Sequence, residues 1–184
     1  MQIQVDTREH KKEWERIAKH FQSAGADYFR SKLYVGDYCN VDSPRLVIDR
    51  KKDLLELIGN VTQQHERFKE ELLRAQNKGF KLIILCEHGD GITELSDVIF
   101  WHNPRLDITE WVVENGHPVK KQLYPKATTG IQLYKSLKTI QEKYGVEFQF
   151  CNKNETGFKI IELLERGCND GIPGMGKDAQ KNHG

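Results

Sequence analysis

At 184 residues, with 38% hydrophobic, 9% aromatic and 30% charged side chains, the chain has the length and balance of one folded domain, which excludes a disordered protein. Its longest apolar runs, such as 82–86, fall far short of the roughly 20 residues of a membrane span, and the start MQIQVDTREHKKEW lacks an apolar signal region, so neither secretion nor membrane insertion is expected. The net charge is only +1, but it is unevenly spread: 87–114 is net −6 and 117–143 is net +5, either solvated faces or, in the second case, a lysine patch for DNA. Cys39, Cys86, Cys151 and Cys168 lie far apart with no CxxC pair, which reads as reduced thiols in a cytoplasmic compartment.

The predicted elements alternate between strands and helices, the pattern of an α/β layer architecture. Ile3 and Val5 alternate with polar neighbours and give a first strand ending near Asp6. Trp14, Ile17, Ala18 and Phe21 follow at helical spacing, and that helix stops before Gly25. Two short β-like runs, 33–35 and 46–48, are joined by a segment with Gly36, Asn40, Asp42, Ser43 and Pro44, which predicts a hairpin. Leu54, Ile58, Val61, His65, Phe68, Leu72 and Ala75 predict one long helix over about 52–77, or two broken near Gly59-Asn60. Residues 81–86 read as a central parallel strand, apolar on both faces. The segment 87–124, with Phe100, Trp101 and Trp111 among acids and prolines, predicts no regular structure. There Trp101 and Trp111 fit packing better than base stacking, and His88, His102 and His117 with Cys86 match no common zinc spacing. Thr129 and Gln132 form a capping box ahead of Ile131, Tyr134, Leu137 and Ile140, Val146, Phe148 and Phe150 alternate as a strand, and Ile160, Ile161 and Leu164 stripe a last helix. The domain spans 1–166. Residues 167–184, rich in Gly, Asn and Lys, are expected to be a flexible tail.

Chemistry concentrates at the expected hairpin. Gly36-Asp37 closes one strand and Asp49-Arg50-Lys51 closes the other, and strand alternation puts Asp49 and Lys51 on one face and Arg50 on the opposite one. Pairing brings Asp37 alongside. Two carboxylates at one point repel unless a cation lies between them, and hard oxygen ligands select Mg²⁺ or Mn²⁺, with Lys51 placed to orient water or steady developing charge. Asp6, Arg8 and Glu9 sit where the first strand gives way to the first helix, near the strand ends where α/β sheets place ligands. The same Asp6 and Glu9 also read as a capping box for that helix. On the later helix, Gln64 and Arg67 are candidates for the substrate backbone.

With VDTRE, VGDY and IDRK in that order, then a long helix and the strand LIILCE, the chain resembles the XPF-type nuclease domain of the restriction-endonuclease-like superfamily, from about residue 2 to 165. The resemblance implies a central mixed β-sheet flanked by helices. It implies Asp37 and Asp49 as metal ligands, Lys51 as the catalytic lysine, Asp6, Arg8 and Glu9 as the rest of the catalytic cluster, and Arg50 as a substrate-binding residue. The implied activity is Mg²⁺- or Mn²⁺-dependent cleavage of branched DNA in recombination, repair or replication. A nuclease-fold binding module that no longer cuts is the alternative. The sequence departs from the family pattern at the signature acid, usually Glu and here Asp49, and at the acid four residues after the lysine, here Leu55. The family's forms that lack further domains are those of bacteria and phages, which implies a cytoplasmic setting and DNA as partner, with no membrane. Relatives dimerise partly through this domain, which points to 130–144 and 156–165 as candidate homodimer surfaces. Ile172-Pro173-Gly174-Met175-Gly176-Lys177 resembles a single hairpin of the tandem helix-hairpin-helix domain with which larger relatives grip DNA.

Overall fold

Apolar side chains on alternate positions of the strands divide into two sets, each covered by its own helices. The computed structural model describes residues 1–89 and 91–169, so the hairpin-like sequence at 172–177 lies outside the described residues. In chain order the strands are β1 (Gln2–Val5), β2 (Asp27–Arg30), β3 (Tyr38–Asn40), β4 (Ser43–Lys51), β5 (Lys81–Cys86), β6 (Thr109–Glu114), β7 (His117–Gln122) and β8 (Glu147–Phe150). The helices are α1 (Lys11–Ser23), α2 (Leu54–Thr62), α3 (His65–Asn77), α4 (Gly130–Tyr144) and α5 (Thr156–Asn169).

Six strands form one mixed sheet in the order β2-β1-β3-β4-β5-β8. The pairs β1–β2, β4–β5 and β5–β8 are parallel, while β3 runs antiparallel to both β1 and β4. Ile3, Val5, Tyr38, Leu46, Ile48, Ile83 and Leu85 pack on one side beneath Trp14, Ile17 and Phe21 of α1 and Ile160, Leu163 and Leu164 of α5. Cys39, Val47, Leu82, Ile84, Phe148 and Phe150 pack on the other beneath Leu54, Leu57, Phe68, Leu72, Leu133 and Leu137. The interior strands β4 and β5, parallel to each other, carry apolar residues buried on both faces because helices cover both sides of the sheet. This is the mixed sheet between helices that the sequence predicts, and the Thr129–Gln132 capping box is present with both of its hydrogen bonds.

Four expectations change. The hairpin pairs Tyr38–Asn40 with Ser43–Lys51. Leu33 and Val35 are apolar because they fill the core from a loop, not because they lie in a strand. The long helix breaks at Gln63-Gln64, four residues after Gly59-Asn60, where the N–H groups of both residues turn back to the Gly59 carbonyl. The segment 87–124 is not irregular: it holds 3-10 turns at Leu95–Phe100 and Pro104–Asp107 and a two-stranded ribbon of β6 and β7. The acidic and basic stretches therefore meet in that ribbon, where Glu114 pairs with Lys121. Finally, α5 runs to Asn169, past the boundary expected at 166, and Gly167 packs on Leu46, where a Cβ would meet the Leu46 side chain at 2.4 Å. No described helix is long and apolar enough to cross a membrane.

Candidate active site

Side-chain alternation on β4 builds the site. Val47, Asp49 and Lys51 face α2 and α3, whereas Ile48 and Arg50 face α1. Asp37 enters from the loop before β3: its N–H donates to the Ile48 carbonyl (2.7 Å), its carbonyl accepts from the Asp6 N–H (2.8 Å), and its Oδ2 accepts from the Arg50 N–H (2.8 Å). One residue thus ties the ends of β1 and β4 together. Gly36 makes the approach feasible. Its φ is +69° and a Cβ there would lie 2.9 Å from the Ile48 carbonyl oxygen, a position only glycine accepts.

On the α3 side, Lys51 Nζ lies 2.9 Å from Asp49 Oδ1 and 2.8 Å from Oδ2, with both side chains buried. Asp37, Asp49, Lys51, Gly36, Arg8 and Glu9 line a cavity of about 280 Å³, joined by His10, Arg50 and Glu56 and by Arg67, Glu71 and Arg74 of α3. Burial and the neighbouring Asp49 and Glu9 carboxylates push the Asp37 carboxyl well above its ordinary range. Burial and Asp49 raise Glu71 in the same direction. Burial opposes the charged form of Lys51, yet Asp49 and Asp37 outweigh it and raise the pKa, so the ammonium stays protonated.

The opposite face holds a separate ion network. Arg50 Nη2 donates to Glu9 Oε1 (2.6 Å) and Nη1 lies 3.1 Å from Glu87 Oε2, while Arg16 also reaches Glu87. Arg50 lines the cavity but its guanidinium is committed to two buried carboxylates, so its place in the fold is a tie between β4 and the loop after β1. Asp6 and Glu9 do not cap α1: the residue before that helix is His10, which makes no side-chain cap bond. Asp6 instead accepts from the Arg8 N–H (2.7 Å), from the Arg8 guanidinium (2.7 and 2.9 Å) and from the Leu33 N–H (2.6 Å). Arg8 remains half exposed at the cavity mouth. Gln64 is exposed at the start of α3, accepts from Asn60 (3.5 Å), and does not line the cavity, whereas Arg67 does. Sequence reasoning passed over Glu71 and Arg74, although with Arg67 they sit at i, i+4 and i+7 on one helical face, a spacing that could have revealed them.

The donor set suits a divalent ion. Asp49 Oδ2 is buried and receives no hydrogen bond, although Lys51 stands beside it. Among the described residues no three His, Cys, Asp or Glu side chains come together to hold a metal alone. Mg²⁺ needs no such cage, since it keeps waters and binds through one or two carboxylates plus a phosphate.

Residues 5–164 match the ERCC4 domain. The structure is similar to XPF from Aeropyrum pernix, with 17% identity and a TM-score of 0.59, covering 93% of this chain and 67% of that one. It is likewise similar to XPF from Aeropyrum pernix in complex with DNA, with 15% identity and a TM-score of 0.56, covering 95% of this chain and 68% of that one. A search of curated proteins finds no match. With three ordered motifs inside one matched span and a sheet of the same fold, the chain belongs to the ERCC4 domain family.

Proposed function

We propose that this chain is a Mg²⁺- or Mn²⁺-dependent DNA endonuclease that hydrolyses phosphodiester bonds in branched DNA. The observation that carries the reading is the convergence of Asp37, Asp49 and Lys51 on one cavity at the end of β4. Family membership and the likeness to an XPF bound to DNA support it.

Asp37 and Asp49 would hold the ion, which supplies a more acidic bound water and positive charge beside the phosphate. Lys51, kept protonated by Asp49, stands where charge develops on the phosphate oxygens and donates to them. Glu71, raised above its ordinary range, reaches the cavity from α3 and orients water there. It supplies a carboxylate that the position of Leu55 does not. Arg8, Arg67 and Arg74 ring the mouth and bind the flanking phosphates. Asp6 and Glu9 act through the arginines they hold.

The test is cleavage of labelled single strand, duplex, flap, fork and four-way junction, with and without Mg²⁺ or Mn²⁺, beside Asp49→Asn and Lys51→Ala. Metal-dependent cutting of branched DNA, reduced about 1,000-fold or more in both variants, is the expected result. Tight binding with no cutting of any substrate would instead identify a silent nuclease-fold module.

A further inference from the structure

The ribbon of β6 and β7 stands apart from the main sheet. Its strands pair from Thr109↔Gln122 to Glu114↔His117, so Asn115 and Gly116 form a two-residue turn, and both have positive φ (51° and 78°) as a type I′ hairpin requires. An isolated hairpin is marginal in water, and this one is anchored at its base. The Leu123 N–H donates to the Ile108 carbonyl (2.8 Å), Gln122 reaches the Leu106 carbonyl, and the Arg105 guanidinium lies 6.0 Å from the Tyr124 ring centroid.

The two faces of the ribbon differ in chemistry. Directly paired residues share a face, so Glu110, Glu114, His117 and Lys121 fall on one side with the Val112–Val119 pair. The other side carries Trp111 and Val113, about three quarters exposed, with Thr109, Pro118, Lys120 and Gln122. It bears one cation and no carboxylate, and Lys120, directly across from Trp111, makes no ion pair among the described residues. An exposed tryptophan beside an unpaired lysine, with every acid turned to the reverse face, matches a base and its phosphate.

Position points to the same occupant. A second cavity, of about 710 Å³, shares His10, Arg50 and Glu56 with the catalytic cavity and extends from it to Lys52 and Arg105. Its three carboxylates are already engaged: Glu13 with Arg16 and Lys153, Asp53 with the Glu56 N–H, and Glu56 with the Lys52 N–H. Four residues after Arg105 the chain enters β6, so the ribbon starts close to the wall of a groove that shares three lining residues with the cavity of Asp37, Asp49 and Lys51.

We infer that the β6–β7 ribbon is a nucleic-acid arm, in which Trp111 stacks on an unpaired base and Lys120 meets the backbone of a DNA strand leaving the catalytic cavity past Lys52 and Arg105. The inference rests on the endonuclease reading and extends it, because it gives the enzyme a contact that duplex DNA does not satisfy. It also assigns a role to the segment that had no structural reading in the sequence.

The experiment measures binding of the full chain to a labelled fork with single-stranded arms and to a blunt duplex, in EDTA, by fluorescence anisotropy. Trp111→Ala should weaken fork binding about tenfold and duplex binding less than about twofold, with Trp111→Phe recovering most of the loss. Lys120→Glu, on the same face, should weaken the fork in the same sense, and melting curves establish that each variant is folded. Unchanged fork affinity, or an equal loss on fork and duplex, overturns the arm. So does a Trp111→Ala protein that keeps its DNA affinity but loses self-association in sedimentation, which would make the face a contact between copies. Metal-dependent cutting by the unaltered chain, scored in parallel, separates the two ideas: if it cuts and Trp111→Ala binds normally, only the arm falls, whereas no binding and no cutting removes both.

Discussion

Arg50 Nη2 lies 2.6 Å from Glu9 Oε1, so the middle residue of the IDRK motif points away from the two residues that flank it and locks β4 to the loop leaving β1. Removing that guanidinium strands Glu9 as a buried charge and leaves Glu87 to Arg16 alone. Arg50→Ala should lose about 3–5 kcal/mol of stability in urea or thermal unfolding, far more than a surface change. Arg50→Lys should recover only part of it, because an ammonium cannot fork between two carboxylates.

Crowding of carboxylates at the cavity has a signature in the absence of metal. Asp37 has a folded pKa raised above its unfolded value, so its contribution is a stability lost as pH climbs from the unfolded pKa through the folded one. Asp37→Asn should therefore raise the melting temperature of the metal-free protein by a few degrees, more at pH 8 than at pH 5, while abolishing cleavage. Glu71→Gln should shift it the same way by less and lower the cleavage rate about 10- to 100-fold. Calorimetry across pH, run in EDTA, checks both.

Asp6 gives the opposite slope. Burial pushes its carboxyl up, but the hydrogen bonds from Arg8 and from the Leu33 N–H outweigh it and hold the pKa below the ordinary value. Its stabilisation is present above the unfolded pKa and is lost as pH falls through the folded one. Asp6→Asn should cost about 1.5–3 kcal/mol at pH 7, and that cost should shrink steadily as the pH is lowered into the acid range. Urea titrations at pH 7 and at successively lower pH measure the difference.

Two glycines with positive φ separate backbone strain from steric contact. Gly145, at the end of α4, has φ +67° and open space around it, so Gly145→Ala should cost about 1 kcal/mol. Gly36 has nearly the same φ but faces the Ile48 carbonyl, so Gly36→Ala should cost clearly more and displace Asp37. Cleavage should fall with Gly36→Ala and hold with Gly145→Ala, measured on the same labelled fork.

The elements β1, α1, β5, α4, β8 and α5, the α4 capping box and the opposite orientation of Arg50 to Asp49 and Lys51 follow from the sequence, because they are local. Periods of two and 3.6 residues decide which side chains share a face whatever the rest of the chain does. Tertiary structure alone decided what lies across from those faces. Asp6 and Glu9 look like a helix cap in sequence, but Leu33 and Arg50, distant along the chain, offer buried charges and N–H groups that a cap at the surface cannot match. Glu71 shares a helical face with Arg67 and Arg74, but that spacing alone does not say what the face meets, and an acid on an amphipathic helix is ordinary until a sheet end packs against it. β2 is an exposed edge strand with little alternation to read, and β3 is three residues long, held by its neighbours rather than by its own pattern. Trp111, which as a sequence feature fits packing better than base stacking, stands exposed because an isolated two-stranded ribbon has no second layer to cover it.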